Sequence, residues 1–183
     1  SGILLPGRSI VIAPIIALIN DQIDNLNRHG IDRCMGMTSE FSSQERQNQL
    51  NAFKQGHYLY TYVSPERFQI TGFRNSLLDL TVSTPISLIA IDEAHCVSEW
   101  GHDFRTSYLN IGKNAREYCE SQGRIPPIIA LTGTASTSVL RDTQRELQIL
   151  DFDSIITPQS FDRPELNYKI LRCNSGEKIN RIT

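Results

Sequence analysis

The chain has 183 residues, 39% of them hydrophobic and 21% charged, with a net charge of -2. That is one ordinary globular domain able to bury a core, which excludes a disordered chain and also the strongly basic balance that dedicated nucleic-acid binders often carry. No apolar run reaches the ~20 residues of a membrane helix, and the start, Ser1-Gly2-Ile3-Leu4-Leu5-Pro6, lacks the basic segment of a signal peptide, so no membrane partner is expected.

Short apolar runs alternate along the chain with longer amphipathic stretches. The runs Ile10–Ala13, Cys34–Met37, Tyr58–Val63, Ile86–Ile91, Ile128–Leu131 and Ile155–Ile156 are mostly continuous and β-branched, as suits strands buried on both faces of a parallel sheet. Between them, Ile15, Ile19, Ile23 and Leu26 fall at helical spacing, with Gly30 just past the end. The stretch Ser42 to Gln55 opens with a capping-box pattern, Ser42-x-x-Glu45, and has only Leu50 and Phe53 to bury, so it reads as a surface helix. Further helices are expected over Tyr108–Glu120 and Ser138–Leu147. The alternation predicts a doubly wound α/β sheet, mainly parallel, flanked by helices and joined by right-handed crossovers. From Phe161 the character changes: Phe161-Asp162-Arg163-Pro164 reads as a turn and Leu166–Leu171 as a lone strand. Residues 1–160 are therefore expected to form one lobe, and 161–183 a linker and the start of another.

Cys34, Cys96, Cys119 and Cys173 include no C-x-x-C pair, and no two histidines stand at a zinc-ligand spacing. No structural zinc is expected, and four sparse cysteines in a long chain read as free thiols in a reducing compartment. The localisation expected is cytoplasmic, nucleoid-associated in a bacterium, or nuclear in a eukaryote. His29 and His57 read as surface residues, and Cys96 as a semi-buried filler.

In a parallel α/β sheet, ligands bind beyond the carboxyl ends of the strands. The run Ile86–Ile91 ends there in two adjacent carboxylates, Asp92 and Glu93. Asp92 could hold Mg²⁺ through its water shell, and Glu93 could orient and deprotonate a water that attacks phosphorus. A solvated acidic turn is the competing reading. Trp100, Phe104 and Tyr108 stand four apart. They are either the stripe of an amphipathic helix or a loop whose aromatics, with Arg105, stack on single-stranded bases; Gly101, His102 and Asp103 between them favour the loop. Tyr108 fits better in the helix that follows. Pro14 and Ser64-Pro65-Glu66-Arg67 each follow a strand, where a turn can face backbone N–H groups to a phosphate or simply join strand to helix. Arg67 could instead pair with an acidic neighbour. Thr132 and Thr134 follow another strand and could bond the Asp92/His95 region, while Ser136 or Thr137 caps the next helix.

The segment from Asp92-Glu93-Ala94-His95 through Cys96-Val97-Ser98-Glu99-Trp100-Gly101-His102-Asp103-Phe104-Arg105 resembles the Walker B element and aromatic-rich loop of RecQ-family DNA helicases. Other segments resemble that family in the same order. Ile12–Gln22 is similar to motif Ia, Tyr62–Arg67 to motif Ib, Ala130–Ala135 to motif III, and Ser160–Pro164 to the segment joining the motor lobes. The resemblance spans roughly residues 8 to 170. Gly133 stands where a small non-glycine residue is common, and Thr106 where proline is frequent.

The resemblance implies a RecA-like first motor lobe of an enzyme that uses ATP and Mg²⁺ to move along DNA, single-stranded or forked, in the 3′-to-5′ direction, in repair or recombination. It gives Glu93, Asp92 and His95 the catalytic roles, and Trp100, Phe104, Arg105, Thr132 and Thr134 the coupling of nucleotide to DNA. It places DNA against Pro14, Asn20, Gln22, Ser64, Pro65 and Arg67, and implies a second lobe in cis. The phosphate loop, G-x-x-x-x-G-K followed by Ser or Thr, is absent. The piece by itself is therefore expected not to hydrolyse ATP, and to expose a sheet edge or face where the loop's strand and helix would lie. A non-catalytic DNA-binding scaffold and an RNA-directed lobe are the alternatives; the aromatic loop argues against the second, and the intact acidic residues against the first.

Overall fold

The computed structural model describes residues 2–38, 41–99, 103–157 and 165–166. Five strands form one sheet: β1 (Arg8–Ile12), β2 (Cys34–Met37), β3 (Tyr60–Val63), β4 (Ile86–Ile91) and β5 (Ile128–Ala130). Their order is β2-β3-β1-β4-β5, and every pairing is parallel. Each connection carries a helix: α1 (Ile16–Arg28), α2 (Ser43–Lys54), α3 (Thr71–Ser83) and α4 (Ile111–Cys119), with α5 (Thr137–Glu146) after β5. The chain falls into two units, 1–153 and 154–183, of which the second is described only at 154–157 and 165–166.

Period-two alternation sends neighbouring strand residues to opposite faces. Ile10, Ile12, Met35, Met37, Val63, Ile89 and Ile91 point to the larger core, where Phe53 of α2, Phe73, Leu77 and Leu80 of α3, and Ile111, Ala115 and Cys119 of α4 meet them. Phe68 and Phe73 stack edge to face at 5.5 Å, within the range such pairs prefer. On the other face α1 lays Ile19 and Ile23 over Gly36 and Tyr62. Past Tyr62 that cover thins. In the row Tyr62–Val11–Ala90–Ile129, Val11 and Ala90 are half-buried and Ile129 on the edge strand is 42% exposed.

The helix ends follow the local sequence. Ser42 accepts from the Glu45 N–H, and the Glu45 carboxylate accepts from the Ser42 N–H at 2.9 Å, which completes the capping box. Glu45 is held below the usual carboxylate range by those bonds. α1 closes with Gly30 at φ 79°, which lets the Ile31 N–H return to the Leu26 carbonyl. Ser136 caps α5 by accepting from the Val139 N–H.

Three expectations differ from the structure, and one helix was not expected. The helix expected over Tyr108–Glu120 begins only at Ile111, because Asn110 takes a left-handed turn at φ 60° and Tyr108 belongs to a short 3₁₀ turn before it. Ile155–Ile156 is no strand: neither residue pairs with a described strand, and Ile156 is 95% exposed, with its backbone open to water. Leu166, expected to open a strand, is in a coil; the rest of that expected strand lies outside the described residues. The helix α3 was not among the expectations, although Phe73, Leu77 and Leu80 mark its buried face. Its Thr81-Val82-Ser83 end is rich in poor helix formers, so tertiary packing rather than propensity holds it.

Candidate active site at the carboxyl edge of the sheet

Because all five strands run parallel, the residues that follow them share one edge. In spatial order these are Thr38 after β2, Ser64-Pro65 after β3, Ala13-Pro14 after β1, Asp92-Glu93 after β4 and Leu131-Thr132 after β5. Backbone bonds stitch the neighbours together. The Ala13 N–H donates to the Val63 carbonyl at 3.0 Å, the Asp92 N–H to Ile12 at 2.8 Å, and the Leu131 N–H to Ile91 at 2.8 Å. The residues expected to act on nucleotide thus lie over β4 and β5, and those expected to meet DNA over β2, β3 and β1.

The acidic turn is built tightly. The Glu93 N–H donates to Asp92 Oδ1 at 2.9 Å, which fixes the carboxylate at the strand's end. Glu93 itself sits at φ 49°, ψ 44°, left-handed backbone that is strained for a side chain other than glycine. That turn starts the short 3₁₀ segment Ala94–Val97, whose Ala94, Cys96 and Val97 are buried. The Ala94 N–H donates to the Leu131 carbonyl at 2.8 Å, bringing the segment against the end of β5.

His95 is the junction. Its Nδ1 lies 2.9 Å from the Thr132 hydroxyl and 3.3 Å from Glu93 Oε2. Its Nε2 lies 3.7 Å from Asp103 Oδ2 and from the Cys96 sulfur. The Thr132 hydroxyl in turn donates to the Thr134 carbonyl and accepts from the Thr134 N–H, each at 3.3 Å. Three of the expected catalytic and coupling residues, Glu93, His95 and Thr132, are therefore in direct contact. Thr134 joins through its backbone.

Two residues here were not singled out for a site by the sequence. Tyr108, almost fully buried, donates its hydroxyl to the Asp92 carbonyl at 3.1 Å, and burial pushes the phenol well above its usual range. Expected in the following helix, Tyr108 sits instead in the 3₁₀ turn before it, and from there it reaches the acidic turn. Asp103 faces His95, and only its place within the aromatic segment marked it. Of that segment, Phe104 is half-buried and Arg105 exposed, with the Arg105 N–H donating to the Cys96 carbonyl at 3.1 Å. Burial raises the Cys96 thiol, with Arg105 opposing. Trp100 lies outside the described residues.

On the other half of the edge, Pro65 and Phe68 are buried and pin the turn Pro65–Gln69 under the sheet's end. Among the described residues Arg67 forms no ion pair with an acid. It donates to the Thr38 carbonyl at 2.8 Å, and its guanidinium is lowered by burial and by the charge of Arg46. Arg46 and Arg67 line one cavity of about 180 Å³ with Met37, Gln47, Gln49 and Leu50. Pro14 and Ser64 are half-buried at the edge. Asn20 and Gln22 are exposed on α1, but residues two apart on a helix point in nearly opposite directions, so the fold does not bring them to one face.

Among the described residues no three His, Cys, Asp or Glu gather as metal ligands, and no helix is long and apolar enough to cross a membrane. A single carboxylate at an open strand end fits Mg²⁺, which keeps several waters and takes its other ligands from phosphates.

A DEAD/DEAH box helicase family profile matches residues 4–143. The chain is 39% identical over 180 residues to the ATP-dependent DNA helicase RecQ of Bacillus subtilis, covering 98% of this chain and 28% of that protein. It is 34% identical to the probable ATP-dependent DNA helicase RecS of the same organism, covering 99% of the chain and 34% of the relative. It is 37% identical to the mouse bifunctional 3′-5′ exonuclease/ATP-dependent helicase WRN, over 89% of the chain and 11% of the relative. The chain thus spans about a third or less of these relatives. Among solved structures, the helicase MrfA bound to DNA and AMPPNP superposes with a TM-score of 0.60 at 18% identity, covering 78% of the chain and 19% of that protein. The Pyrococcus furiosus Hef helicase domain gives 0.53 at 19% identity, covering 80% and 28%. Both share the RecA-like helicase fold. With the acidic turn at the carboxyl edge of a parallel sheet and a family profile over most of its length, this chain belongs to the DEAD/DEAH box helicases, and its curated relatives are RecQ-type.

Proposed function

We propose that this chain is the part of the first motor lobe that follows the phosphate loop in an ATP-dependent DNA helicase, a protein that couples ATP hydrolysis to 3′-to-5′ movement on single-stranded or forked DNA in repair or recombination. The lobe works with a second lobe in cis that closes over the same sheet edge. The observation that carries the reading is the junction at His95, where the acidic turn after β4 meets Thr132 after β5. The RecQ-type relatives supply the choice of DNA.

In this reading Asp92, held by the Glu93 N–H, would hold Mg²⁺ through water, and the ion, when bound with ATP, would neutralise phosphate charge. Glu93 takes the proton of the attacking water. His95 orients the Glu93 carboxylate and passes its position to Thr132. Phe104 and Arg105, whose segment starts and ends on the same 3₁₀ turn, face DNA bases together with Trp100. Pro14, Ser64, Pro65 and Arg67 form the backbone-phosphate side, and Asn20 and Gln22 lie on the helix beyond it. With a net charge of -2, phosphate contacts are local, so DNA binding by this chain alone is expected to be weak and salt-sensitive.

The test is made in a protein holding the phosphate loop and both lobes. Single-stranded DNA stimulates ATP hydrolysis, and a 3′-tailed duplex is unwound. Glu93→Gln lowers turnover by about 10²- to 10⁴-fold, the usual worth of a general base, and leaves oligonucleotide binding intact. Undiminished hydrolysis in Glu93→Gln overturns the assignment of the base, and stimulation by RNA with none by DNA overturns the substrate.

A further inference from the structure

The acidic turn is tied to α5 at two points that the junction at His95 does not use. The Ser98 hydroxyl, fully buried, donates to Asp142 Oδ2 at 2.6 Å. One residue on, the Thr143 hydroxyl donates to the Ala94 carbonyl at 3.5 Å. Ala94 and Ser98 bracket the 3₁₀ turn that carries His95, so consecutive side chains of one helix hold both its ends. Asp142 is 7% exposed, and Arg145 on the next turn of α5 pairs with it from the solvent side.

A buried carboxylate beside an apolar core is disfavoured unless it is bonded and paired. Asp142 has both, and its bond to Ser98 is short and charge-assisted. The packing of α5 on the 3₁₀ turn could have been made with apolar residues alone, as Val139 and Leu147 show on the same helix. A directional bond fixes something that apolar contact does not, namely the angle at which the chain leaves the turn after Val97. That exit begins the segment ending at Arg105, whose N–H returns to the Cys96 carbonyl. α5 itself starts a few residues after Thr132, which touches His95, and Thr134, whose backbone holds the Thr132 hydroxyl. The helix therefore connects the nucleotide-side threonines with the root of the aromatic segment.

We propose that Asp142, acting through Ser98, is a positioning residue that sets the root of the aromatic segment and links it, through α5, to Thr132 and Thr134. Its role at the DNA rests on the helicase reading above, while the anchoring itself can be tested without DNA.

Trp100 is the sole tryptophan, so its fluorescence reports on that segment alone. In the full chain, Ser98→Ala and Asp142→Asn are expected to raise the acrylamide quenching constant of Trp100 about twofold while the far-ultraviolet circular dichroism is retained. Ser98→Thr, which keeps the hydroxyl, restores the original value. Arg141→Ala, on the exposed side of α5, leaves it unchanged. Unaltered quenching in folded Ser98→Ala and Asp142→Asn overturns the proposal. Should those variants fail to fold, amide exchange in the unmodified chain decides. Residues 94–98 and 139–143 are expected to open with a common rate, and independent opening overturns the proposal. Adding oligo-dT separates the two claims. A Trp100 response in the original chain that is lost in Asp142→Asn supports the coupling. No response in the original chain sinks the DNA reading and leaves the anchoring to the quenching result.

Discussion

His95 Nδ1 sits 2.9 Å from the Thr132 hydroxyl and 3.3 Å from Glu93 Oε2, so one imidazole nitrogen is shared between the strand-end acid and the neighbouring strand's threonine. Thr132 is held in its turn by Thr134. Removing the hydroxyl while keeping the shape, as in Thr132→Val, leaves His95 free to turn wholly to Glu93. The loss of one such bond to a largely buried group is worth about 1–3 kcal/mol, or roughly 5- to 150-fold in rate if it acts in the transition state. DNA-stimulated ATP hydrolysis in the two-lobe protein is expected to fall by that factor, with nucleotide affinity changing little. A fall confined to affinity would place Thr132 in binding instead.

Tyr108 joins packing to the site. Tyr108→Phe removes only the donor to the Asp92 carbonyl, and is expected to lower stability by about 0.5–1.5 kcal/mol. Tyr108→Ala also empties a buried ring site, and about 3–5 kcal/mol is expected by analogy with other aromatic truncations. Urea denaturation of the two variants measures the difference. A Phe variant as damaging as the Ala variant would show that the hydroxyl, rather than the ring, sustains the turn.

Gly112 marks where α4 passes the end of α5. A Cβ there would stand 2.7 Å from the Leu147 Cα and 2.9 Å from the Glu146 carbonyl oxygen, both backbone atoms that cannot swing aside. Gly112→Ala is expected to destabilise by about 1–3 kcal/mol despite alanine's better helix propensity, because overpacking against backbone outweighs it. Thermal melting checks the sign; a rise in midpoint contradicts the close approach.

The capping box of α2 has a pH signature. Glu45 is held below its ordinary range by the Ser42 bonds, so its contribution is present above the unfolded carboxylate pKa and fades as pH falls through the depressed folded one. Ser42→Ala is expected to cost about 1 kcal/mol at neutral pH. The gap between it and the original protein should narrow on acidification below the ordinary glutamate range. Urea midpoints measured across that interval test this, and a gap that widens on acidification refutes it.

The buried tyrosines act at the other extreme. Desolvation lifts the Tyr62 phenol to about 12 and Tyr108 higher still. Both favour the neutral form in the fold, so their contribution is complete below pH ~10, the ordinary tyrosine value, and is lost as pH climbs through the folded values. Stability is expected to decline from about pH 10 upward, and Tyr62→Phe should lessen the slope in urea titrations.

Much of this was legible in the sequence because the signals are local. Short apolar runs at Ile86–Ile91 and Cys34–Met37 gave strands with the bounds observed, and Ser42-x-x-Glu45 marked a helix start that depends only on residues three apart. The acidic turn, too, could be placed at a strand's end because burial of its charges inside the sheet would be costly. What the sequence could not decide was strand order, since parallel pairing joins residues distant along the chain. The parallel pairing of β4 with β5 puts Thr132 beside the Asp92 turn, so that His95 can reach it. The same limit hid Tyr108, whose partner is a backbone carbonyl with no sequence mark, and Arg67, whose partner among the described residues is the Thr38 carbonyl. Composition and spacing therefore determined the elements and the chemical types of the site. The tertiary structure decided which of those groups share an edge and which hold one another, because contact between remote residues is set by packing and not by position along the chain.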